Sequence, residues 1–133
     1  MMPILWSFRC YRSADGTDEI RAWYDGGSKQ LRAKFISRMR TLAQLPRNEW
    51  HENLYKTLHG ECDGLAEIRF FADKVQQRPL GFHSGDAEFT ILFCAKEKGG
   101  KFVPLSACEK AITRRGEVLK NRSRTNAFWL VLE

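Results

Sequence analysis

A chain of 133 residues with 43% hydrophobic and 29% charged side chains has the balance of one globular domain spanning 1–133, which excludes a wholly disordered polymer. Twenty-two Lys and Arg oppose sixteen Asp and Glu, a net charge of +6 that favours polyanionic partners. No stretch approaches the roughly 18 apolar residues of a membrane span, and Pro3 and Arg9 interrupt the N-terminal segment, so no membrane association is expected and a cytoplasmic location is. Cys10, Cys62, Cys94 and Cys108 form no C-x-x-C pair. Cys94 and Cys108 lie in apolar surroundings and read as small core residues in a reducing compartment.

In chain order, Leu5 to Arg12 reads as a first strand and Asp15-Gly16 as a turn. Thr17-Asp18-Glu19 predicts a helix start, with Thr17 as the N-cap ahead of two acids that suit the positive end of the dipole, and Gly26-Gly27 its end. Ser28 then caps a longer amphipathic helix in which Leu31, Phe35, Met39 and Leu42 recur at steps of three and four. Pro46 stops it. Leu54 to His59 and Leu65 to Phe71 read as strands, the second with Ala66, Ile68 and Phe70 on one face and Glu67, Arg69 and Phe71 on the other. Asp73-Lys74 turns the chain into Gln76 to His83, where Pro79 points to an edge or a bulge. Glu88 to Lys96 is apolar on both faces, as a central buried strand is, and Gly99-Gly100 turns after it. Ser106 to Glu109 matches a capping box for a helix reaching about Lys120, with Cys108, Ala111, Ile112 and Leu119 inward. The tail, 121–133, ends in an apolar run that either pairs as a strand or packs across the core.

Conventional enzyme motifs are absent: there is no G-x-S-x-G, P-loop or dinucleotide fingerprint. His51, His59 and His83 lack metal-ligand spacing, so neither a metal nor a cofactor is expected. What remains is a set of cations on the β-rich half: Lys56, Arg69, Arg78, Lys96, Lys98 and Lys101. Arg69 and Arg78 fall on strands joined by a short turn. Two neighbouring guanidiniums need anions or acids, and Glu67 is the nearest acid in sequence. A phosphate site is one reading; a Glu67–Arg69 pair beside solvated lysines is the other. Cleavage of RNA by its own 2′-hydroxyl needs charge stabilisation, which these cations supply, and proton transfer, for which His59 and His83 are the candidates.

Leu65-Ala-Glu-Ile-Arg-Phe70, Gln77-Arg-Pro-Leu-Gly-Phe82 and Phe89-Thr-Ile-Leu-Phe-Cys-Ala-Lys96 with Lys98 resemble the RelE/HigB/ParE toxin superfamily, in its phage-derived HigB-like branch. Leu58-His59-Gly60, the preceding helix pair and Ala111 extend the likeness over about residues 17–120. The resemblance implies an α+β fold: a small antiparallel sheet of three to five strands, two N-terminal helices packed on one face, and a helix after the last core strand. It implies the toxin of a type II toxin–antitoxin system, a metal-independent endonuclease acting on mRNA on the ribosome and neutralised by a helix-turn-helix antitoxin. The alternative is a non-catalytic ParE-like gyrase inhibitor or a phage-derived binding module. Arg69 and Arg78 match the family's two sheet arginines, and Lys96 and Lys98 its post-strand lysines. Lys56 and His59 flank the strand that supplies basic or histidine side chains in some family nucleases. Arg69, Arg78, Lys98 and His59 are thus expected to be catalytic, and Lys56, Lys96 and Lys101 to bind RNA. The family's C-terminal Tyr or His has no counterpart, since Phe128 and Trp129 cannot move protons, and Pro79 stands where a β-branched residue is usual.

Overall fold

A computed structural model describes residues 3–132; Met1 and Met2 of the N-terminal segment and Glu133 of the tail lie outside the described residues. The first strand, β1 (Ser7–Tyr11), leads into α1 (Glu19–Asp25), where the Asp18 carboxylate accepts from the backbone N–H groups of Ile20 and Arg21. Helix α2 (Lys29–Gln44) is capped by Ser28 Oγ, which accepts from Leu31 N–H at 3.0 Å. Both caps fill donors that a helix start otherwise leaves without partners. The apolar stripe of α2, Leu31, Phe35, Met39 and Leu42, is buried as its spacing predicts.

Six strands follow: β2 (Tyr55–Thr57), β3 (Ala66–Ile68), β4 (Phe70–Ala72), β5 (Val75–Gly85), β6 (Glu88–Lys98) and β7 (Lys101–Val103). Then come α3 (Ala107–Lys120) and, in the tail, β8 (Thr125–Ala127). The sheet order is β2-β3-β5-β6-β1-β8, with β4 beside β5 and β7 beside β6. Strand β1 runs parallel to β6, while β8 closes antiparallel on β1. The apolar end of the tail packs on the core through Phe128, Trp129 and Leu132, and the strand forms just before it, at Thr125–Ala127.

This overturns the expected RelE-like sheet of three to five antiparallel strands. The sheet has eight strands and is mixed, and its helices lie on both faces. Helices α1 and α2 cover a core containing Phe8, Ile68, Phe70, Phe89 and Ile91. Helix α3 packs on the opposite face, over Leu65, Leu80, Leu92 and Ala95. The sequence pattern underestimates the sheet because β2, β3, β4, β7 and β8 have three residues each, too few for alternation to show.

Two irregularities shape the sheet. The single strand expected at Leu65 to Phe71 breaks at Arg69. Its ladder with β5 runs through Ala66↔Gly81 and Glu67↔Leu80 and resumes only at Phe70↔Gln77. Pro79, which has no N–H to give, lies within that gap. A bulge then leaves Leu92 without a partner between Leu80↔Phe93 and Gly81↔Ile91. Leu92 and Phe93 both pack towards α3, and Cys94 returns to the other face.

Three further expectations are corrected. Ser106 makes no side-chain cap: its backbone (φ −82°, ψ 8°) is not extended, and the Ala107 N–H bonds Pro104 O instead. Leu119 faces solvent at 69% exposure, and Val118 takes the inward place. Cys108 is joined to Cys62 as a disulfide, with Cα atoms 5.1 Å apart, rather than being a free core thiol; Cys10 and Cys94 are free. No helix among the described residues is long and apolar enough to cross a membrane.

Candidate nucleic-acid interface

The break at Arg69 builds the site. Glu67 and Arg69 point to the α3 face of the sheet, and Arg78 projects there from β5. Glu67 Oε2 lies 3.0 Å from Arg69 Nε and 2.9 Å from Arg78 Nε, and Glu97 Oε1 lies 3.1 Å from Arg78 Nε. Two carboxylates thus answer the two guanidiniums. The pairs at Glu67 are coulombic contacts, because no N–H points at its buried Oε2 in hydrogen-bond alignment. Desolvation raises the Glu67 pKa even against the pull of Arg78 and Arg69.

The two arginines differ in access. Arg78 is 4% exposed and also donates to Gln77 O, so it is a sheet-locking residue. The Arg69 side chain is 26% exposed, donates from Nη1 to Glu52 O, and lies at the wall of two surface depressions. One, of about 270 Å³, also holds Lys56, Glu67 and Glu97. Lys56 is opposite Glu67 in the β2–β3 ladder, and it lines a further depression of about 230 Å³ with Arg47, Tyr55 and His59. Arg69 and Lys56 therefore join three depressions into one strip along the β2–β4 edge.

The remaining expected residues stand elsewhere. Lys96 and Lys98 alternate with Ala95 and Glu97 along β6, so they face away from Arg69 and Arg78. Lys101, opposite Lys98 in the β6–β7 ladder, shares that other face. His59 is exposed before the 3₁₀ turn Gly60–Cys62 and meets Lys56 but not Arg78 among the strip residues. The structure thus brings Arg69, Arg78 and Lys56 together, adds His59 at one end, and separates the three hairpin lysines.

Sequence reasoning missed a partly buried polar network behind the strip, built on the buried Tyr55 with Arg47 and His83 at its more open ends. Arg47 Nη2 donates to Tyr55 Oη at 3.0 Å, and Tyr55 Oη lies 2.7 Å from His83 Nε2. The Arg47 guanidinium sits 4.4 Å from the Tyr55 ring centre. Trp6, Trp50 and Phe89 surround the His83 ring. Desolvation there, with the nearby Arg47 charge, lowers the His83 pKa to about 4, which fits a neutral imidazole accepting from Tyr55. Arg47 carried no signal, since a lone arginine after a proline has no pattern to mark it. Among the described residues, no three His, Cys, Asp or Glu side chains converge as a metal-binding group.

No family model, no curated protein and no solved structure matches this chain.

Proposed function

We propose that this protein binds single-stranded RNA along the strip formed by Arg69, Lys56 and Arg47. The observation that carries the reading is that Arg69 and Lys56 each line two adjoining depressions, which gives a path rather than a point for a phosphate backbone. Arg78 fixes the sheet beneath the path. Glu67 and Glu97 temper its charge, so binding is modest and strongly dependent on salt. Lys56→Ala and Arg69→Ala should each weaken binding of a labelled oligoribonucleotide, and each should reduce the slope of log affinity against log salt by about 0.7. Unchanged affinity and slope in the double variant would refute the proposal.

Cleavage is the second part of the proposal, motivated by His59 standing exposed beside Lys56. In it, Arg69 and Lys56 hold the phosphate while His59 moves the proton, on mRNA at the ribosome in the cytoplasm, with an antitoxin as the restraining partner. Growth arrest on expression that Arg69→Ala and His59→Ala both relieve would support this part. RNA binding without arrest would leave the binding reading alone standing.

A further inference from the structure

The strip ends in a depression at the open edge of β4. It has a volume of about 390 Å³, within the range of small-ligand sites, and its walls include Arg38, Asn53, Arg69, Phe71, Gln76 and Arg78. Three guanidiniums from three different elements meet here: Arg38 from α2, Arg69 from the break between β3 and β4, and Arg78 from β5. Arg69 and Arg78 spend their Nε groups on Glu67 and Glu97 and their Nη1 groups on backbone carbonyls. Arg38 has no such acid. Its Nε is buried with no hydrogen-bond partner, and desolvation lowers its pKa. A buried guanidinium N–H without an acceptor is costly, and an anion drawn into the depression would supply one once the Arg38 side chain turns its Nε towards it. Beside it, Phe71 is 53% exposed, a large aromatic side chain left in solvent on an edge strand.

We infer that this cavity is a nucleotide subsite, in which Arg38 and Arg69 hold a phosphate and Phe71 stacks the attached base. The inference rests on the RNA-binding reading and names the end of the strip where one nucleotide is gripped. Arg78 contributes positive charge from behind, and Asn53 and Gln76 offer neutral donors and acceptors at the rim. No acid is among the residues lining this depression; Glu67 and Glu97 line the neighbouring one, where Arg78 engages both. The chemistry selects a phosphate carrying a planar base over a bare anion, because stacking adds to the charge-assisted hydrogen bonds.

The test titrates the full chain with inorganic phosphate and, separately, with adenosine 5′-monophosphate, reading arginine Nε–H signals and aromatic ring signals by NMR. Phosphate should move the Arg38 Nε–H signal. The nucleotide should move it and the Phe71 ring together, and bind about tenfold more tightly than phosphate. Arg38→Ala should weaken both ligands about tenfold or more, with partial rescue in Arg38→Lys. Phe71→Ala should reduce the nucleotide to the affinity of phosphate. An Arg38 signal unmoved by either ligand, or affinities unchanged in Arg38→Ala, would overturn the subsite. A labelled oligoribonucleotide separates the two readings. RNA binding that is untouched in Arg38→Ala and Phe71→Ala sinks the subsite and spares the strip, whereas nucleotide binding without RNA binding supports the subsite and sinks the strip.

Discussion

The cost of burying charge decides what each arginine can do. Arg78 is closed off from solvent between Glu67 and Glu97, so truncating it strands Glu97 and leaves the buried Glu67 with Arg69 alone. Arg78→Ala should lose about 3–5 kcal/mol of stability, whereas Arg69→Ala, at a half-open position, should lose about 1 kcal/mol or less. Urea unfolding of the two variants checks this; equal losses would mean that Arg78 is not the locking residue. At His83 the sign runs through protonation. Its folded pKa of about 4 lies below the ordinary 6.5, so the unfolded chain binds the proton more readily. His83 therefore leaves stability intact above about pH 6.5 and erodes it as the pH falls towards 4. Glu67, with its raised pKa, contributes with the opposite sign, so the difference between the protein and a His83→Gln variant isolates the effect. Thermal midpoints from pH 7 to pH 4 should fall less steeply in the variant. A His83 ring titrating at 6.5 by NMR would contradict its desolvation beside Tyr55 and Arg47.

At the scale of elements, the bulge in β6 is where sheet geometry is least forgiving. Gly81 lies opposite it, and an added Cβ would collide with Thr90 O and the Phe89 ring. Backbone and a buried aromatic cannot both yield, so Gly81→Ala should cost roughly 1–3 kcal/mol or more. A thermal midpoint unchanged in that variant would show that the bulge relaxes freely. The helices were the most legible elements. Ser28 caps α2 as expected, the α1 start falls where expected although Asp18 rather than Thr17 caps it, and the α2 stripe follows its spacing. The third helix shows where such reading stops. Ser106 has the right identity for a cap, but the backbone set before it places its hydroxyl away from the waiting N–H groups. Leu119, apolar by type, points outward because Val118 already fills the inward position.

Across the whole molecule, the site was half legible. The pairing of Arg69 with Arg78 follows from a turn between adjacent strands, and a local turn is a short-range signal. The sidedness of Lys96, Lys98 and Lys101 follows from a bulge, an irregularity of the β5–β6 pairing that sequence alternation cannot announce. Arg38 and Phe71 were invisible as site residues, because only tertiary packing brings a residue of α2 to the edge of β4. The fold was underestimated for a related reason. Parallel pairing of β1 with β6 joins the two ends of a long chain segment, and nothing local encodes it. That pairing also has a temporal meaning. As the chain is synthesised from its N-terminus, β1 emerges first, yet one neighbour, β6, belongs to the far half of the sequence and the other, β8, comes almost last. The first strand made is thus among the last to gain both of its partners. Until then its hydrogen-bonding edges stand open, the condition under which strands pair with the wrong chain.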